Sequence, residues 1–124
     1  MDGYVWTVED HLAGQPAASV ALFHRFVELV AGNGPYTCSV TKTTIAFKGA
    51  RRGFAGARPA ARGLTGFLDL QRMAADRRVI KANPYTKRLY VNHFRIPEMA
   101  DLDHTFADLI AEAYAVGQGA HLLQ

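Results

Sequence analysis

The sequence predicts a two-layer α+β domain: a mostly antiparallel sheet of five or six strands between an N-terminal and a C-terminal helix that pack on one face. Two observations predict it. Apolar residues recur at spacings of three and four near both ends, and the middle alternates with a period of two between short turn signals. A third observation, charge sorted along the chain, predicts that the domain has two unlike sides.

The elements follow in order. Thr7 is placed to cap a short turn over Val8 to Leu12, with Asp10 three residues on in a capping-box position. Gly14 ends that turn, and Pro16 suits the first turn of the next helix, where a missing N–H costs nothing. From Ala17 to Ala31, Val20, Phe23, Phe26, Val27 and Val30 make one apolar stripe, widened by Leu22 and Leu29. Gly32, Gly34 and Pro35 stop it.

Strands follow. Tyr36, Cys38 and Val40 alternate with Thr37 and Ser39, which predicts a buried strand thiol at Cys38. Thr43 to Lys48 sets Ile45 and Phe47 on one side, and Gly49 to Gly53 is a basic turn. Phe54 to Pro59 and Leu64 to Leu70 form a hairpin around Ala61, Arg62 and Gly63. Gln71 to Arg77 is a connection, and Arg78 to Ala82 is a further strand. Asn83-Pro84-Tyr85-Thr86 reads as a turn, and Arg88 to Ile96 as the longest strand. Asp101 is expected to cap a last helix whose stripe is Leu102, Phe106, Leu109, Ile110, Ala113 and Tyr114. Gly117 and Gly119 end that helix, and the tail after them is expected to be loose. Short connections favour antiparallel pairing, and two amphipathic helices suffice to cover one face.

The 124 residues are enough for one hydrophobic core, so one domain is expected over 1–124, with its core at about 5–117. A 49% hydrophobic and 20% charged composition excludes a disordered chain. No apolar run is long enough for a bilayer, and MDGYVWTVEDHL lacks the basic and apolar regions of a secretory leader; a cytoplasmic protein is expected. The single cysteine excludes an internal disulfide.

The net charge of +3 conceals the sorting. Residues 42–95 hold thirteen basic residues against Asp69 and Asp76, a net of +11. Residues 1–41 have a net of −3, and residues 96–124 hold five acids and no Lys or Arg, a net of −5. Several strands are also apolar on both faces: Leu89 and Val91 oppose Tyr90, Phe94 and Ile96, and Phe67 opposes the leucines of its strand. Two short helices cannot cover both faces, so the second face needs a ligand cavity, a curled sheet or a partner chain. The sequence leaves open a concave pocket or a homodimer.

Candidate chemistry concentrates in the basic middle. Lys42 and Thr43 offer an ammonium and a hydroxyl between two strands, without the glycines of a P-loop. Arg52 and Arg58 sit in and beside the hairpins, where a planar guanidinium fork fits phosphate or carboxylate, or pairs with the acidic helices of the same fold. Tyr90 offers a stacking ring. On the last strand His93 is the best general acid–base residue, with Arg95 two positions on. No pair of histidines has metal-ligand spacing, and no cofactor fingerprint, nucleophile elbow, RRM signature or helix–turn–helix occurs.

Four segments together carry a resemblance: Thr7-Val8-Glu9-Asp10-His11, Thr41 through Lys48, Asn92-His93-Phe94-Arg95-Ile96, and Glu112-Ala113-Tyr114. Their order and spacing resemble the bacterial DUF5655 family, small domains of unknown function, over roughly residues 5–117. The resemblance implies no activity. It places Lys42, Phe47, His93 and Arg95 on recognisable positions, and it would have His where this chain has Asn92. The expected function is a small binding domain whose basic sheet face recognises an anionic partner, nucleic acid or a small anionic ligand. The alternatives are an enzyme using His93 in a sheet-face pocket, or a homodimeric interaction module.

Overall fold

Six strands form one antiparallel sheet in the computed structural model, which describes residues 3–122. They are β1 (Thr37–Val40), β2 (Ile45–Lys48), β3 (Gly53–Ala60), β4 (Gly63–Leu70), β5 (Val79–Thr86) and β6 (Leu89–Ile96), in the spatial order β1-β2-β3-β4-β6-β5. After β4 the chain crosses to the outer position as β5 and returns as β6 to pair with β4. Three helices complete the domain: α1 (Val8–Leu12), α2 (Ala17–Ala31) and α3 (His104–Gly117). The last two pack over β3 and β4.

The helix termini obey local chemistry. The Thr7 hydroxyl accepts from the Asp10 amide while the Asp10 carboxylate accepts from the Thr7 amide, which closes the capping box. At α3 the expected cap shifts. Asp103, not Asp101, accepts from the Phe106 amide, and Asp101 closes a 3-10 turn over Met99–Asp101 and pairs with Arg77 at 2.8 Å. Both aspartates suit an N-cap; the intervening turn makes the later one the first with a free helical amide two to three residues ahead.

Paired residues of an antiparallel ladder share a face, so the register defines the covered one. Leu64 stands with Pro59 and Ile96, Gly66 with Ala57 and Phe94, and Leu68 with Ala55 and Asn92. Phe94 is the centre of this face. Phe26 of α2 stacks on it at 5.6 Å between centroids, and Phe106 of α3 meets it edge-on at 5.2 Å. Gly66 makes the seat: a Cβ there would stand 2.6 Å from the Phe94 ring and would strike the Gly56 carbonyl of the neighbouring strand. Ser19 fastens α2 to the β3–β4 turn, donating to the Ala60 carbonyl at 2.6 Å and accepting from the Gly63 amide.

The β4–β5 connection is pinned by Arg78, which is only 6% exposed. It donates bidentately to Asp76 at 2.8 Å, to Asp103 at 2.7 Å and to the Asp101 carbonyl at 2.8 Å. Its guanidinium also lies over the Phe106 ring. The Arg78 contact holds Asp76 below the usual carboxylate range. Asp103 is held low first by the Phe106 amide and then by Arg78.

Three expectations need correction. Asn83-Pro84 lies inside β5 rather than in a turn, because β5 is an edge strand: a missing N–H there breaks no ladder bond, and the register slips beside it. Cys38 is exposed rather than buried, because it sits on β1, the four-residue strand at the edge of the sheet. The tail is not loose through Leu122. Ala120–Leu122 forms a 3-10 turn with His121 buried, and Arg88 donates to the His121 carbonyl at 3.0 Å.

Two outcomes follow from this packing. Gly66→Ala is expected to destabilise by roughly 2–3 kcal/mol, because backbone must move, whereas Gly56→Ala, which meets only the half-buried Phe67 ring, costs less. Urea unfolding of the two variants compares them. Arg78→Met is expected to lower the Tm by roughly 10 °C near neutrality. Because Asp76 and Asp103 have depressed folded-state values, their contribution is present above the ordinary carboxylate range and is lost as pH falls through the lowered values. The gap between wild type and variant therefore narrows in acid, as melts from neutral to low pH would show.

Candidate functional site

Among the described residues no helix lies on the opposite face of the sheet, whose hollows are lined by strand and turn residues. Alternation along β4 turns Thr65, Phe67 and Asp69 to this side. The register sets Arg58 and Arg95 beside Thr65, Gly56 and His93 beside Phe67, and Val91 beside Asp69. Lys81 of β5 stands beside His93. Two hollows adjoin there. The first, about 470 Å³, is bordered by Thr43, Thr44, Arg58, Thr65 and Ile80. The second, about 440 Å³, is bordered by Arg52, Asp69, Tyr85 and Val91. Phe67 and His93 line both and form the saddle between them.

Each wall has a local cause. Phe67 lies across Gly56: three of its ring atoms crowd the point where a Cβ would be, so only glycine lets the ring lie down on the sheet. The Thr41–Thr44 turn is tied down on two sides. His11 Nε2 meets the Thr41 carbonyl at 2.7 Å, and Arg58 donates to the Thr43 carbonyl at 2.6 Å. Arg58 is thereby held at the rim by one of its five N–H groups, with others left to face a ligand.

Arg52 is positioned from the other layer. The amides of Arg51 and Arg52 both donate to the Gly117 carbonyl at the end of α3, and the Ala50 amide donates to Gln118 Oε1 at 2.8 Å. From this docked turn Arg52 reaches Asp69 at 2.8 Å, and its guanidinium lies over the Tyr85 ring at 5.4 Å. Asp69 is 5% exposed, and its Oδ1 has no hydrogen-bond partner among the described residues. Burial pushes its carboxyl up; Arg52, and more weakly His93, draw it part of the way back.

The structure brings Thr43, Arg52, Arg58, His93 and Arg95 to this face, with Lys42 exposed on the turn at its edge. It does not bring Phe47 or Tyr90. Phe47 pairs with Ala55 on the covered face, is wholly buried, and packs on Phe26 and Tyr36; a ligand-binding role for it is corrected by that burial. Tyr90 pairs with Leu70 and faces the same way. Asn92 and His93 point to opposite sides of β6. Asn92 is buried and fully engaged, accepting from the Ala74 amide and donating to the carbonyls of Arg72 and Tyr90. Adjacent histidines at 92 and 93 could not have shared one site. The residues sequence reasoning missed are Phe67, Asp69 and Thr65. Their signal was the alternation of one strand, with Asp69 the one acid on any of the six strands.

Among the described residues no group of three His, Cys, Asp or Glu side chains could hold a metal ion, and no helix is long and apolar enough to cross a membrane. The fold and the face define a two-layer α+β domain with one bare, basic sheet surface. The chain belongs to the DUF5655 family, a domain of unknown function, whose model matches residues 8–117. No curated protein and no solved structure matches it.

Arg52→Ala removes the main opposing charge from Asp69, so its carboxyl is expected to rise further. A folded-state value above the unfolded one means stability is lost as pH rises through that window. The variant should therefore weaken between the ordinary carboxylate range and neutrality more than wild type does, with a side-chain carboxyl NMR titration following Asp69 directly.

Proposed function

We propose that this is a binding domain whose bare sheet face takes up an anionic partner. One observation carries the reading. On that face Arg58, Arg95 and Lys81 make no ion pair among the described residues, while the only acid of the sheet, Asp69, is already occupied by Arg52. Where the β4–β5 connection meets the helix layer, by contrast, Arg72, Arg77 and Arg78 are each matched to acids at or near α3. Three cations without an acid partner thus share this face with the hydroxyls of Thr65, Thr44 and Thr43. Guanidinium forks with hydroxyls suit phosphate, sulfate or carboxylate oxygens.

His93 favours a second reading, a small enzyme, because it lines both hollows rather than being buried away from them. In that reading it acts as general acid or base.

The binding reading is tested by NMR titration with pyrophosphate and heparin at low salt. Amide shifts are expected at Thr44, Arg58, Thr65 and Arg95, fading as salt rises. Arg58→Ala and Arg95→Ala are each expected to weaken binding by roughly tenfold, about 1.4 kcal/mol. Shifts elsewhere, or binding indifferent to both variants, would remove the reading.

A further inference from the structure

The anionic-partner reading leaves unexplained why the centre of the charged face is a flat aromatic ring. Phe67 occupies the saddle between the hollows, and its conformation is specific. Three of its ring atoms crowd Gly56, and the half-buried ring lines both hollows. His93 stands beside it in register, and Tyr85, 60% exposed, borders the second hollow. Three π-faces thus lie on the side of the sheet that also presents Arg58, Arg95 and Lys81. Along β4 the order is hydroxyl at Thr65, ring at Phe67, and the Arg52–Asp69 pair beyond, with about 7 Å between successive outward residues.

The hollows also lie on a face with no helix over it among the described residues. A small molecule is held by burying most of its surface, which an uncovered face does not provide. A chain that alternates flat rings with anions gains at each repeat instead, and single-stranded nucleic acid is such a chain. A duplex keeps its base faces stacked inside and offers phosphates, sugars and base edges instead, so it has no free base face for Phe67.

We propose that the bare face binds single-stranded nucleic acid, with one base stacked on Phe67 and the flanking phosphates on Arg58, Arg95 and Lys81. This rests on the anionic-partner reading and adds the stacking platform to it. Whether the strand is DNA or RNA is decided by running both in the test.

The experiment is fluorescence anisotropy at low salt with a labelled oligopyrimidine, as DNA and as RNA, against a duplex of the same length. The single strand is expected to bind more tightly than the duplex. Phe67→Ala is expected to weaken single-strand binding by roughly 5- to 150-fold and to leave the salt slope unchanged. Phe67→Trp should restore it. Arg58→Ala is expected to reduce the salt slope by about one. Gly56→Ala lifts the ring from within the sheet and should weaken the single strand without touching the cations, which guards against a Phe67→Ala chain that fails to fold. Equal binding of single and double strands, with Phe67→Ala silent, would overturn the stacking proposal while leaving the anionic-partner reading in place. The absence of any oligonucleotide binding, with heparin and pyrophosphate still bound at Arg58 and Arg95, would do the same.

Discussion

The seat of Phe94 on Gly66 is the constraint on which the two-sidedness of the domain depends. A ring can lie that close to the sheet only where the facing residue has no side chain, and once there it offers Phe26 and Phe106 a common anchor. Both helices are thereby drawn to the same face. A two-residue period then forces the neighbours of Gly66 and Phe94 outward: Thr65, Phe67, His93 and Arg95. The bare face is the geometric complement of the core. The same device recurs one strand over in reverse, where Gly56 lets Phe67 lie flat outside.

Charge follows the same division. Three arginines that the sequence groups with the basic middle are consumed in joining the layers: Arg72 to Glu112, Arg77 to Asp101, and Arg78 to Asp76 and Asp103. The exposed Arg72–Glu112 pair contributes little to stability by itself, while the buried Arg78 cluster would leave unpaired charges if broken. The acidic C-terminal segment thus neutralises only the part of the basic middle that it can reach. Arg58, Arg95 and Lys81, on the bare face, are separated from it by the thickness of the sheet.

Much of this was legible in the sequence. The stripe from Val20 to Val30 and the alternation of Leu64 to Leu70 are strong periodic signals, and the elements lie where those signals put them. Strand count and antiparallel pairing followed from short connections. Other features depended on tertiary context. Asp101 and Asp103 are equally good caps in isolation, and only the 3-10 turn between Glu98 and Leu102 separates them. Pro84 signals a turn unless its strand is known to be at an edge, and strand order is not local information. For the site, residue type located arginines and His93 but could not say which side Phe47 took. Nor could it show that Phe67 lies on a glycine from another strand, since that contact joins residues eleven positions apart through a register the sequence does not print.

The placement of Pro84 has a further consequence. A six-stranded sheet exposes two edges, each a row of unpaired backbone donors and acceptors able to recruit another strand. At one end β5 offers a proline that cannot donate and a register that slips twice along its length. At the other, β1 is four residues long. Lateral growth of the sheet, whether into fibrils or by strand addition from a peptide, is discouraged at both margins. The two rims are thus the parts of the sheet least suited to taking up a further strand.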